Sequence, residues 1–257
     1  MKVVHHSYRY GAEILQHDHY SAAWDELMAV LKATPLFTYP GKSASNPKLD
    51  VVQQAINVYF DRKLSIERGW AWHPYATAIQ NSGLRADFRK TFTAVPRASD
   101  IDQKTGEVLT FPDLTIQTEV QFGNAARWYS DIFKFQTAYA QGLTNIGICV
   151  LPMGSIARRI DSNIASYERA LKELPSALMS ITIPIVLFGI EPDDDDVPVN
   201  IKDCQFPKIR DITGKGNSAN RWRIVHAHDS GQAMNTVSAA SDTGPMFEDD
   251  SDAEDVV

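Results

Sequence analysis

Glu119 and Gln121 stand two residues apart in TIQTEVQFGN (115–124), so an extended backbone puts both side chains on one face. A second carboxylate, Asp87, lies in the strand-like segment LRADFRKTF (84–92). Two carboxylates on neighbouring strands, with a carboxamide oxygen beside them, form a donor set for a hard divalent cation. Mg²⁺ suits such a set, because it prefers oxygen, keeps several waters and takes only one or two carboxylates. The reaction such a centre performs is phosphodiester hydrolysis, in which the ion orients and acidifies a water and neutralises charge on phosphorus-bound oxygens. A plainer reading is also open. Thr115, Gln117, Glu119 and Gln121 alternate with Ile116, Thr118, Val120 and Phe122, as in a strand with one face in water.

The elements that must carry these residues follow from periodicity. After the strand at 115–124 come a helix over NAARWYSDIFKFQTAYAQGL, a buried strand over NIGICVLPM, a helix over GSIARRIDSNIASYERALKELP and a buried strand over ITIPIVLFGIEP. That alternation predicts an α/β fold, a mixed central β-sheet flanked by helices. The N-terminal part, 1–80, reads as helical. SAAWDELMAVLKATPL places Ala23, Trp24, Leu27, Met28 and Leu31 on one face behind a Ser21 cap, and PKLDVVQQAINVYFDRKL repeats the pattern. Residues 68–83 read as loop, and 93–113 as a long excursion with its own hairpin. A single domain over 1–228, with its core at 84–192, is expected, followed by a disordered acidic tail at 229–257.

Composition excludes several classes. Among 257 residues, 44% are hydrophobic and 22% charged, the balance of a globular protein. No apolar run reaches the roughly 20 residues of a membrane span. Cys149 and Cys204 make neither a disulfide framework nor a zinc site, so a reduced, cytoplasmic setting is expected. The net charge of −7 is uneven: without the six acids of FEDDSDAEDVV it is −1, and without Asp193 to Asp196 as well it is +3. A basic cleft is therefore compatible with the composition.

IQTEVQFGN, WYSDIFKFQTAY, NIGICVLPM, IDSNIASYERAL and IPIVLFGIEP, in that order, resemble type II restriction endonucleases of the BglII and BstYI group, as does GAEILQHDHYSAAWDELMAVLKATPL. The likeness covers roughly residues 10 to 192. The group's catalytic strand is a PD-(D/E)-x-K variant with Gln for Lys. The resemblance implies a nuclease core that cuts double-stranded DNA at a short palindrome with Mg²⁺, as a homodimer. Glu119 then matches the metal-binding glutamate, and Gln121 the glutamine that replaces lysine and can bind the metal through its carbonyl oxygen. Asp87, before Phe88, matches the metal-binding aspartate, although 32 residues separate it from Glu119 where the group has a short turn. Asp113 competes. A fully extended 113–119 would, however, hold it about 20 Å from Glu119. Asn81 and His73 are weak matches for a fourth active-site group.

For DNA reading the resemblance implies Asn124 and the stretch Asp161, Ser162 and Asn163, with adenine suited to asparagine. GATC-centred sites are those the group reads. Arg158, Arg159, Arg85, Arg89 and Lys90 are phosphate candidates. Each has a bland counterpart: a cap after Gly123 for Asn124, a solvated helix turn for Ser162 and Asn163, an exposed helix face for the arginines. The aromatic helix 127–139 is a candidate dimer surface, or simply core. HAHD (226–229), QHDHY (16–20), GKGN (214–217) and Asp193 to Asp196 read as ordinary surface or loop. Competing readings are a DNA-binding protein that has lost cutting and a nuclease without site preference. The acidic tail is a candidate competitor for the DNA cleft.

Overall fold

The runs IGICVLP and IVLFGI are buried at every position, as strands covered on both faces must be. They form the centre of a six-stranded sheet in the computed structural model, which describes residues 1–101, 104–177, 180–206 and 208–239. The strands are β1 (Lys2–Tyr8), β2 (Phe37–Thr38), β3 (Ala71–Trp72), β4 (Phe88–Phe92), β5 (Leu114–Val120), β6 (Ile146–Pro152), β7 (Ile185–Glu191) and β8 (Val199–Asn200). The sheet order is β1-β7-β6-β5-β4-β3, and β2 pairs with β8 separately. Strands β5, β6 and β7 are mutually parallel, while β1, β4 and β3 run antiparallel to their neighbours, so the sheet is mixed.

Among the described residues eight helices surround it: α1 (Gly11–Leu15), α2 (Ser21–Lys32), α3 (Gln53–Phe60, prolonged by a π-turn over Asp61–Ile66), α4 (Ala125–Ala140), α5 (Gly154–Ile160), α6 (Tyr167–Glu173), α7 (Arg210–Thr213) and α8 (Ser218–Asp229). Two apolar clusters flank the sheet. One joins α2, α3 and α8 to Ile116, Ile148, Val186 and Phe188. The other joins Trp128, Ile132 and Phe135 of α4, with residues of α6, to Cys149 and Leu187. Gly147 lets α4 approach, since a Cβ there would lie 2.9 Å from the Phe135 ring.

Three expectations need correction. The N-terminal part is not all helical, because KVVHHSY pairs along the whole of β7. The helix expected over 154–175 is two: Asp161 is extended, and Ser166 caps α6 by accepting from Arg169 N. The chain does not leave the body at 229. Val237 is buried and its carbonyl accepts from Gln205 N at 2.8 Å. Residues 240–257, with the acidic run, lie outside the described residues. The excursion 93–113 connects β4 to β5 and closes an antiparallel bridge between Ile101 and Val108. No helix among the described residues is long and apolar enough to cross a membrane.

Candidate active site

The polar face of β5 is not solvated. Gln117 is 0% exposed, Glu119 1% and Gln121 6%, because α4 crosses over them after the short connection from β5. A buried carboxylate needs partners. Glu119 Oε1 accepts from Gln117 Nε2 at 3.3 Å, and Oε2 from Lys134 Nζ at 3.1 Å.

Asp87 reaches the same point from β4. The ladder pairs Phe88 with Thr118, so Asp87 falls opposite Glu119 one residue on. Its carbonyl accepts from His73 N at 2.9 Å and its Oδ2 from Val120 N at 2.7 Å, which fix backbone and carboxylate together. The long spacing between Asp87 and Glu119 is thus absorbed by an antiparallel pair with a large loop, whose closure entropy grows only slowly with length. Asp113 is at the other end of β5, beside the Leu114–Phe92 pair, where its charge is felt by Tyr20.

Two residues that sequence reasoning did not single out complete the cluster. Asp131 and Lys134 lie one turn apart on α4, and Lys134 Nζ donates to Asp131 Oδ1 at 3.2 Å. Gln121 Nε2 donates to Asp131 Oδ2 at 2.7 Å, while its Oε1 accepts from Gly123 N at 2.9 Å. Gln121, the residue after β5, thus orients Asp131. Their signal was positional. Asp131 falls on the Trp128–Ile132–Phe135 stripe, where a charge is out of place unless it has a partner.

The electrostatics are those of crowded acids. Burial, reinforced by Asp87 and Asp131, raises the Glu119 carboxyl well above the usual carboxylate range. Burial raises Asp131 to about 6, with Lys134 pulling it down and Asp87 pushing it up. Burial works against the charged Lys134 amine, but Glu119 and Asp131 outweigh it and hold its pKa above the ordinary value. Arg89, on the same sheet face, is lowered by burial and raised by Glu119; it donates to Gln117 Oε1 at 3.1 Å and to the Tyr75 carbonyl at 2.8 Å.

The acids open into a cleft of about 540 Å³ bordered by Asp87, Glu119, Gln121, Arg127 and Lys134. Gln53, Gln54 and Thr213 line both this cleft and a neighbouring cavity of about 460 Å³ that holds Asn124, Asp161 and Asn163. Residues 123–125 and 163–165 pair backbone to backbone, and Asn163 Nδ2 donates to Asn124 Oδ1 at 3.1 Å. Asn124 also caps α4 by accepting from Ala126 N at 2.9 Å. Ser162 is exposed, and its amide donates to Asp161 Oδ1 at 2.6 Å.

The cationic candidates separate. Arg85 borders the cleft, donating to the His73 carbonyl and to Tyr75 Oη. Lys90 does not. It shares the opposite sheet face with Ile116 and binds both Glu26 oxygens at 2.9 Å and the Arg68 carbonyl at 2.7 Å. Arg159 is held bidentate by Asp50 at 2.8 Å, and Arg158 is exposed. His73, with a left-handed φ of 46° and stacked on Trp72, borders the cleft; Asn81 (φ 60°) is exposed and does not line it. The other motifs have structural roles. His19 bridges His17 and Asp100, tying down the 93–113 excursion, and Asp229 pairs with Arg62 and Lys63.

A mixed sheet whose adjacent strands bring Asp87 and Glu119 together at the mouth of a cleft is the framework of a nuclease core. A model of the restriction endonuclease BglII/BglIII family matches residues 3–190, and the chain belongs to that family; it is a type II site-specific deoxyribonuclease. Among solved structures it is similar to restriction endonuclease BglII complexed with a DNA 16-mer, at 17% identity and TM-score 0.55, over 76% of this chain and 80% of that one. Free BglII is matched at 18% identity and TM-score 0.45, over 76% and 82%. No curated protein matches in a sequence search.

Proposed function

We propose that this endonuclease is Mg²⁺-dependent and cuts double-stranded DNA as a homodimer at a short palindrome, with GATC at its centre. The observation that carries the reading is the placing of Asp87 opposite Glu119 in a cleft that shares Gln53, Gln54 and Thr213 with the neighbouring cavity holding Asn124 and Asn163. The donor set fits the ion. All its atoms are oxygen, and three buried or half-buried acids around one amine leave an excess of negative charge. Among the described residues no three His, Cys, Asp or Glu side chains stand close enough to hold a metal together. The protein would therefore supply Asp87, Glu119 and the Gln121 carbonyl oxygen, with water completing a shell that Mg²⁺ tolerates.

When bound, the ion supplies charge neutralisation at the phosphate and acidification of the attacking water. The chain's own groups do the positioning. Val120 N fixes the Asp87 carboxylate, Gln117 and Lys134 fix that of Glu119, and Arg85 borders the path of the DNA backbone. A water oxygen attacks phosphorus in line, the bond to the 3′ oxygen breaks, and 5′-phosphate and 3′-hydroxyl ends result. Asn124 and Asn163, joined to each other, would present amide groups to adenine edges in the major groove. Two-fold symmetry of a palindrome calls for two copies. Tyr129 and Phe133 of α4, 54% and 61% exposed, are an apolar face for that contact.

The test is plasmid DNA incubated with Mg²⁺ or EDTA, using wild type and Glu119→Ala, with the ends of any fragments sequenced. Discrete metal-dependent fragments that vanish in the variant are expected. Smearing, or retardation of the DNA without cutting, would overturn the reading.

A further inference from the structure

The amine of Lys134 is the cation that already sits among the acids. It lies 3.1 Å from Glu119 and 3.2 Å from Asp131, and its side chain, 14% exposed, borders the cleft that holds Asp87. Its acceptors are oriented. Asp131 is turned by Gln121, and Glu119 is steadied by Gln117. Arg85 and Arg89 are committed to carbonyl groups, Tyr75 and Gln117, whereas the hydrogen bonds of Lys134 go to the acids of the centre itself.

Resting on the nuclease reading above, we propose that Lys134 is a catalytic residue. In the resting protein its amine holds the place of a divalent cation at Glu119. Once a cation takes that carboxylate, the amine keeps Asp131 and turns a second donor onto a non-bridging oxygen of the scissile phosphate. Lysine suits this exchange, having three donors on a flexible stem. A positive donor aimed at the phosphate gains strength as negative charge accumulates there during attack, above all in a site screened from water. In the step itself the water–phosphorus bond forms, the bond to the 3′ oxygen breaks, and that oxygen gains one proton as the water loses one. Lys134 neither gives nor takes a proton.

The experiment compares wild type, Lys134→Ala and Lys134→Gln in single-turnover plasmid cleavage with Mg²⁺, and in Mg²⁺ titration calorimetry without DNA. Lys134→Gln keeps a donor for Glu119 and Asp131 and serves if the alanine variant fails to fold. Cleavage is expected to fall by roughly 100-fold, the usual loss on removing one transition-state donor. Mg²⁺ affinity is expected to stay equal or tighten, because the amine no longer competes. Cleavage within fivefold of wild type would overturn the proposal. So would a tenfold or greater loss of Mg²⁺ affinity, the mark of a merely structural lysine. If wild type cuts nothing, the nuclease reading fails and this inference goes with it.

Discussion

Replacing Asp131 by Asn should change how stability depends on pH, and the size of the change follows from the cluster. Burial takes the Asp131 carboxyl from its ordinary 3.8 to about 6 in the folded protein. The folded state therefore binds this proton more tightly than the unfolded chain, so stability falls as pH rises through that interval. The full displacement corresponds to about 3 kcal/mol at ~1.4 kcal/mol per tenfold. Part of that is already present at the acid end, so between about pH 4.5 and pH 8 the wild type should lose about 2 kcal/mol that Asp131→Asn does not. The asparagine also loses good hydrogen bonds to Lys134 and Gln121, but that offset is nearly the same at every pH. Urea unfolding in EDTA, at four or five pH values, gives the difference between the two proteins directly. The variant is expected to gain on wild type by about 2 kcal/mol from the acid to the alkaline end. A flat gap would show that the acid bears no burial penalty, and the account of a crowded, under-neutralised cluster would be wrong.

Three other outcomes follow from the geometry. Gly147→Val should lower stability by about 1–3 kcal/mol, read from the urea midpoint, because its side chain meets the Phe135 ring and pushes α4 outward. Cleavage should fall with it, as Asp131 and Lys134 ride on the same helix. Lys90→Met should leave DNA affinity and its salt dependence unchanged while costing about 1 kcal/mol through the lost contact with Glu26; a shallower salt slope would place Lys90 on the DNA after all. Asp113→Asn should cut at the wild-type rate. Loss of cutting in this variant, with Asp87→Asn still active, would reverse the choice between the two aspartates.

The strand-borne half of the candidate site was legible as a cluster because a two-residue period survives any tertiary context: Glu119 and Gln121 share a face wherever the strand goes. What the period could not tell was whether that face met water or a helix, and the α4 crossover decided it. Asp87 was legible only through its register with β5. Spacing along the chain hid that, since the 93–113 excursion separates two residues that face each other across one ladder. The break at Asp161 was missed because GSIARRIDSNIASYERAL keeps a helical pattern throughout. Pairing of 163–165 with 123–125 overrides that local preference and lays Asn163 beside Asn124. β1 was missed for the opposite reason. KVVHHSY is too polar to announce a strand, yet as an edge it needs to satisfy only one neighbour, β7.

The helix-borne half shows why the two halves had to be read together. On α4 alone, Asp131 and Lys134 are an unremarked i, i+3 pair on a helix otherwise notable for its aromatic rings. At the end of β5, taken alone, Gln121 is a neutral group where a charged one would be useful. Joined through the Gln121–Asp131 and Lys134–Glu119 contacts, they set a positive amine beside the strand's acids without placing it on the strand. The distance between helix and sheet then becomes a chemical variable. It is governed by a residue with no side chain, Gly147 on the neighbouring strand, against which Phe135 seats, next to Lys134 and one turn beyond Asp131.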